Sequence, residues 1–321
     1  MKKSCLGQLL LVLVSTLLIG SPCFASYPDK PIRFITGVTP GAPLDLMMRT
    51  LAKYLSDELG QAITVENRVG GTGAISMQAV LNLPADGYNI VSATSSTSFL
   101  IAEGKTSLTE KDFIFFGGLQ LEPSAVAVRK DSPYQNLAQL IDALKKSPDK
   151  ISIGGYAVAG FHQFVYYRLQ EIAGFKGIWV PFNGGNQGVL ALLGGHLDAT
   201  IMTPSSALMQ IKNGDIRLLA ISTAQRSEYF PDVPTFKEQG YDLVENIWRG
   251  VMVKHGTPPD VVAKLANAIK AVEAKPEWKK FMVDNGQSPM NLSVEKMQKF
   301  VADEIQSRRK FLKAIGLLQQ Q

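Results

Sequence analysis

The chain has 321 residues, with 33 Lys and Arg against 28 Asp and Glu and a formal charge of +5. Without Lys2 and Lys3 the excess is about +3 and no basic cluster remains, which argues against nucleic acid as a partner. Both cysteines, Cys5 and Cys23, fall in the leader, so the rest of the chain has no thiol, disulfide or cysteine metal site.

Met1-Lys2-Lys3 is basic, Leu9 to Ile19 is almost wholly apolar, and Cys23-Phe24-Ala25 offers small residues for cleavage, the layout of a secretory signal peptide over residues 1–25. The apolar run is shorter than the roughly 20 residues of a spanning helix, and Pro22 before Cys23 is unsuited to a lipoprotein signal. Export to the periplasm with cleavage near Ala25 is expected, a retained anchor being the alternative. No later segment is apolar for long enough to cross a membrane. The remaining length suits two lobes of roughly 100–200 residues each, or one large domain.

Ile32-Arg33-Phe34-Ile35 reads as a short strand, and Leu44, Met47, Met48, Leu51, Leu55 and Leu59 recur at helical spacing after it. Between them lies Gly37 to Asp45. Pro43 suits the first helical position, where its missing N–H has no acceptor to lose. The amides of Leu44, Asp45 and Leu46 should then leave the helix start unpaired, and such a start carries about half a positive charge that attracts anions. Gly41 lets backbone approach a ligand without a side chain in the way. An ordinary βα turn is the competing reading.

Ala62 to Glu66 reads as a second strand, and Asn67 to Gly73 as a loop opening into a helix with Met77, Val80 and Leu81. Tyr88 to Val91 is a third strand, ending in the hydroxyl-rich Thr94-Ser95-Ser96-Thr97-Ser98, read as a loop at the cleft or in solvent. This alternation predicts a mainly parallel sheet with helices on both faces, whose ligands sit beyond the carboxyl ends of the strands. Ser124 to Val128 crosses into a second lobe. There follow a helix over Leu137 to Leu144, a strand over Ile151 to Ile153, the loop Gly154 to Gly160, and a helix with Phe161, Phe164, Val165, Arg168 and Leu169. Ile178 to Pro181 is the next strand and Phe182-Asn183-Gly184-Gly185-Asn186 its loop, with a short helix from Val189 to Leu193 stopping at Gly194-Gly195. Asp198 to Met202 and Leu218 to Ser222 read as strands, and Gly250 to Val253 as a strand returning to the first lobe. Val294, Met297, Val301, Ile305, Phe311 and Ile315 share one face of a terminal helix.

Several catalytic signatures fail on inspection. Gly71-Thr72-Gly73 has Ser76 where a dinucleotide fingerprint needs its third glycine, and Gly104-Lys105-Thr106 has Phe99 where a phosphate loop needs its first. His162, His196 and His255 are far apart without ligand-like neighbours, so no metal is expected. Neither a serine elbow nor a thiol is available as nucleophile. The residues argue for binding without chemistry and without a cofactor.

Four stretches together resemble the Bug family, the solute-binding receptors of tripartite tricarboxylate transporters. They are Tyr27-Pro28-Asp29-Lys30-Pro31-Ile32-Arg33 leading to Pro40-Gly41-Ala42-Pro43-Leu44-Asp45 and Arg49; Val65-Glu66-Asn67-Arg68 with Gly70, Gly73 and Ala85-Asp86-Gly87-Tyr88; Val180-Pro181-Phe182-Asn183-Gly184-Gly185 with Leu192 to Asp198; and Pro231-Asp232-Val233-Pro234-Thr235 with Glu238, Gly240 and Gly256-Thr257-Pro258. The match is collinear over essentially the whole mature chain.

The resemblance implies an α/β receptor of the two-lobed periplasmic-binding-protein type (Venus flytrap, type II). Lobe 1 is expected over 26–124 plus 225–321 and lobe 2 over 125–224. It implies a monomer that closes on a small organic acid and passes it to a two-subunit integral membrane permease, a membrane signalling partner being the alternative. One ligand carboxylate is expected at the loop of Thr39, Gly41, Ala42, Leu44 and Asp45, with Asp45 orienting the loop or binding through water. The opposite lobe should contribute Ala157, Gly160, Phe161 and His162, and Asn183, Gly184, Gly185 and Asn186. Thr94, Ser95 and Ser96 are further candidates, and Asp198 either orients the Asn183 loop or simply begins a strand. Tyr156 and Trp248 belong to the cleft or the core, Phe161 to the cleft or the core, and His162 to the cleft or a helix surface. Ala42, Leu44, Ala157, Ala159, Gly160 and Phe161-His162 replace residues that are usually glycine or hydroxyl-bearing in the family. That departure points weakly to a ligand whose far end is apolar, aromatic or amide-like.

Overall fold

The computed structural model describes residues 27–314 and 316–318. The expected signal peptide with its two cysteines, and Ile315, lie outside the described residues. The chain runs β1 (Ile32–Thr36), α1 (Pro43–Leu59), β2 (Ile63–Asn67), α2 (Ala74–Leu81), β3 (Asn89–Thr94), α3 (Ser95–Glu103) and β4 (Phe113–Pro123). It continues through β5 (Ala125–Arg129), α4 (Leu137–Lys146), β6 (Ser152–Tyr156), α5 (Phe161–Ala173), β7 (Ile178–Phe182), α6 (Gly185–Leu193), β8 (Ala199–Met202), α7 (Leu208–Lys212) and β9 (Ile216–Ile221). Then come β10 (Asn246–Lys254), α8 (Pro259–Ala274), α9 (Pro276–Asp284), β11 (Ser288–Leu292) and α10 (Val294–Ala314).

The strands form two sheets, ordered β11-β4-β10-β3-β1-β2 and β7-β6-β8-β5-β9. Strands β1, β2 and β3 are parallel, and so are β6, β7 and β8. The strand that enters each lobe from the other runs against its neighbours: β5 is antiparallel to β8 and β9, and β10 to β3 and β4. The sheets are therefore mixed, a correction to the mainly parallel expectation. The crossings stay side by side, because the Ser124 amide donates to the Ser222 hydroxyl and the Ser222 amide to the Ser124 carbonyl, each at 2.8 Å.

Alternation along the strands builds a core on each face of the first sheet. Phe34, Ile90 and Val251 pack with Leu51, Leu55 and Leu265 of α1 and α8. Ile35, Val91 and Met252 face the other way, onto Met77, Phe99, Met297 and Val301 of α2, α3 and α10. This second cluster continues into lobe 2 through Phe161, Phe164 and Leu169. Helix α1 stops at Gly60, whose φ of 65° is the left-handed ending that glycine adopts without a Cβ clash.

Strands β4 and β11 had no counterpart in the sequence reading. β4 carries Gly117-Gly118 in its middle and the buried polar residues Gln120 and Glu122 near its end, which hide its apolar alternation. Gly154, Gly155 and Tyr156 belong to β6, not to a loop: a Cβ on Gly154 would lie 2.4 Å from Leu197 and one on Gly155 2.4 Å from Trp179. Ser95 to Ser98 are helical, since α3 starts directly at the end of β3, and α6 begins at Gly185, four residues before its expected start.

The β4–β10 pairing is close enough to test. A Cβ on Gly250 would sit 2.1 Å from the Gly117 carbonyl oxygen. Gly250→Ala should lower unfolding free energy by about 3 kcal/mol, the upper part of the overpacking range, because backbone cannot move aside as a side chain can. Urea denaturation reads this directly, and a loss below about 0.5 kcal/mol would contradict the pairing.

Candidate functional site

The loop before α1 is shaped by a buried carboxylate. Asp45 is 1% exposed and accepts from the Gly41 amide at 2.9 Å, Arg49 Nε at 2.9 Å and Asn67 Nδ2 at 2.7 Å. Burial pushes its pKa up, but the hydrogen bonds from Arg49, Gly41 and Asn67 outweigh it and hold the carboxyl below its usual range. Asp45 thus turns inward, and its side chain and the Gly41 amide serve the loop itself. The Ala42 amide bonds Thr39 O and the Leu46 amide bonds Ala42 O. Leu46 therefore leaves the set of free donors, and the amides of Leu44 and Asp45 remain at the helix start.

The two lobes meet across this loop. Thr39 Oγ1 lies 3.1 Å from Asn186 Oδ1, and Asn186 Nδ2 donates to Pro40 O at 3.2 Å. Thr72 Oγ1 donates to Val158 O, and the Phe161 amide donates to Ser96 Oγ, each at 3.1 Å. Between the lobes lies a cavity of about 30 Å³. Ala42, Pro43 and Leu44 line it from the start of α1, Thr94 from the start of α3, His162 from the start of α5 and Gly185 from the start of α6. Thr203, Ser206, Tyr156, Ile247 and Arg249 complete much of the wall. Four helix starts of opposite lobes thus border one space, and those of α1 and α6 carry unpaired amides.

Arg249 is 3% exposed and ion-paired to Glu122 at 2.6 Å, with a second bond to Thr203 Oγ1 at 3.2 Å. Glu122 also accepts from the Ser205 amide and hydroxyl, each at 2.8 Å, which ties β4 to lobe 2. His162 is 3% exposed, and its Nδ1 accepts from the Tyr156 amide at 3.4 Å. Burial, reinforced by the nearby Arg249 charge, pushes the imidazole down to about 3, so the ring is neutral at physiological pH.

The other candidates divide. Gly184 faces Thr39 so closely that a Cβ there would lie 2.1 Å from Thr39 Oγ1. Asn183 is exposed, with its amide on Gln187 Oε1. Ala157 has a φ of 67°, and Gly160 sits beside Ser96, both bordering the start of α5 away from the cavity wall. Ser95 and Ser96 are buried, their hydroxyls accepting from the Trp248 and Phe161 amides. Phe161 and Trp248 are fully in the core, the latter donating from Nε1 to Glu304 at 2.6 Å. Asp198 stands away from the cavity, directly before β8, as the second of its two readings has it: it bonds the Ser152 amide and hydroxyl where β6 begins, at the edge opposite the Asn183 loop. The sequence reading missed Thr203, Ser206, Ile247 and Arg249; Thr203 and Pro204 do open a short 3-10 helix over Pro204–Ala207, a helix-start signal that was passed over, whereas Ile247 and Arg249 lie on a strand. Among the described residues no group of three His, Cys, Asp or Glu could hold a metal ion, and no helix is long and apolar enough to cross a membrane.

Asp45→Asn should cost about 1–3 kcal/mol at pH 7, because Arg49 and the Gly41 amide lose their anion. The folded pKa of Asp45 lies below its unfolded value of about 4. Its contribution is therefore complete above that value and lost as pH falls through the folded one. Urea unfolding of both proteins should show the gap closing towards pH 2; a gap equal at pH 7 and pH 2 would contradict the ionised, bonded state.

The family model described as tripartite tricarboxylate transporter family receptor matches residues 47–317. Protein BugT of Bordetella pertussis (strain Tohama I) is 31% identical over 304 residues, which cover 92% of each chain. The solved periplasmic binding protein BugD is 26% identical with a TM-score of 0.85, over 92% of this chain and 100% of its own. R. palustris Rpa4515, solved with adipate, is 25% identical with a TM-score of 0.85, over 90% of this chain and 98% of its own. With two sheets joined by paired crossings and a cavity between them, the chain belongs to the tripartite tricarboxylate transporter family receptors, which are periplasmic solute-binding proteins and not enzymes.

Proposed function

We propose that the protein captures a small organic carboxylate between its lobes and delivers it to a two-subunit membrane permease. The observation that carries this reading is the meeting of the α1 and α6 starts, Leu44 and Gly185, on one cavity from opposite lobes. The amides of Leu44 and Asp45 on one side, and of Gly185 and Asn186 on the other, are donors that can hold a carboxylate without a free arginine. Asp45 shapes the first loop, and Thr39 and Asn186 join the halves over the ligand. The adipate in Rpa4515 supports the ligand class. A cavity of about 30 Å³ has room for about one water, so a carboxylate enters with the lobes apart and is buried as they close. The monomer is exported by residues 1–25 and released by cleavage near Ala25, and the permease reads the closed form.

A thermal-shift screen of mono-, di- and tricarboxylates tests the capture step. A ligand at 100 times its dissociation constant adds about 2.7 kcal/mol of stability. Gly184→Ala should abolish that gain while keeping the ligand-free melting temperature, because its Cβ would meet the Thr39 side chain of the opposite lobe and the Asn186 side chain, which meet only when the lobes close. Absence of a shift with every carboxylate, or a Gly184→Ala protein that binds as tightly as the parent, would overturn the reading. Uptake in a deletion strain separates delivery from signalling: loss of uptake supports the permease partner, whereas unchanged uptake with lost transcription of neighbouring genes supports a sensor.

A further inference from the structure

Two polar side chains on the cavity wall have hydrogens with no acceptor in the protein. The Tyr156 amide donates to His162 Nδ1, which assigns the proton of the neutral ring to Nε2. Nε2 is buried and has no hydrogen-bond partner. The hydroxyl of Thr94, a residue 6% exposed, likewise donates to nothing. Leaving such donors unmet is costly, and both belong to residues lining the interlobe cavity.

The charged side chain beside them is already paired. Arg249 is the cation on the wall, and its guanidinium is matched by Glu122 at 2.6 Å. The Phe161 amide, at the start of the helix that carries His162, is capped by Ser96 Oγ at 3.1 Å. A second carboxylate placed against His162 and Thr94 would therefore meet neutral donors and a neutralised arginine, away from water. An amide or keto oxygen accepts the same two hydrogens without bringing a charge to bury.

We infer that His162 and Thr94 form a specificity-determining donor pair for an uncharged oxygen, so that the ligand is a monocarboxylate bearing an amide or keto group and not a dicarboxylate. This rests on the receptor reading above and narrows its ligand class.

The test is calorimetric titration of the mature full-length protein with succinate, glutarate and adipate and with the monoamide of each. At least one monoamide should bind about tenfold more tightly than its parent diacid. His162→Phe, which keeps a ring and removes the donor, should erase that preference, Thr94→Val should reduce it, and His162→Gln, which restores an N–H, should recover part of it. Diacids that bind as tightly as their monoamides, or a preference unchanged in His162→Phe, would overturn the assignment while leaving the receptor reading intact. The comparison of wild-type affinities decides the matter even where a variant fails to fold. Binding of neither series would overturn the assignment, while the receptor reading is decided by the wider carboxylate screen.

Discussion

One buried anion organises the binding edge of this molecule. Asp45 draws the Gly41 amide, Arg49 and Asn67 onto a single carboxylate, and Asn67 also bonds the Val38 carbonyl, so the loop from Val38 to Leu44 is tied down at both ends. Its charge is used up inside the loop. The first turn of α1 can therefore present amides to a second anion without an acidic side chain opposing it, although Asp45 is itself in that turn. Neutralising a carboxylate with local donors so that nearby donors stay available is an economical way to build an anion site from backbone.

Topology supplies the second half of the site. Because the chain passes between the lobes twice, at Ser124 and after Ile221, each sheet holds a strand, β10 or β5, that runs against both of its neighbours. Strands β1, β3, β6 and β7 are followed by α1, α3, α5 and α6, whose starts border the cavity. Four helix starts thus gather on one cavity although the residues come from positions 44, 94, 162 and 185. Glu122 stands where β4 leaves for lobe 2, and by holding Arg249 of β10 and Ser205 of lobe 2 it couples the crossing to the cavity wall. Breaking such a buried pair by removing one partner costs about 3–5 kcal/mol, so the arrangement resists piecemeal change.

How much of this was legible beforehand varied with the kind of signal. Pro43 at a helix start, Gly41 before it and the apolar spacing through Leu59 placed the first loop and helix correctly, because local stereochemistry dictates them. The family resemblance was legible in collinear motifs and stands. Strand β4 was not, since two glycines in its middle are needed for close approach to Val251 and Met297 and break the pattern of apolar residues. Phe161 and His162 are adjacent on α5, yet one faces the core and the other the cavity, a choice made by the packing of Phe99 and Tyr156 around them. Arg249 lies just before the strand read over Gly250 to Val253 and was not singled out. Its role follows from Glu122, 127 positions earlier, and no local pattern connects the two.

The central claim is that the lobes come together around a carboxylate. Beyond Cys23 the chain has no cysteine. Spin labels can therefore be placed at Ile75 of lobe 1 and Leu190 of lobe 2, both exposed, and the distance between them measured by pulsed electron resonance. Addition of a saturating carboxylate that binds the protein should shorten and narrow the distance distribution. A distribution that is the same with and without that ligand would contradict the account.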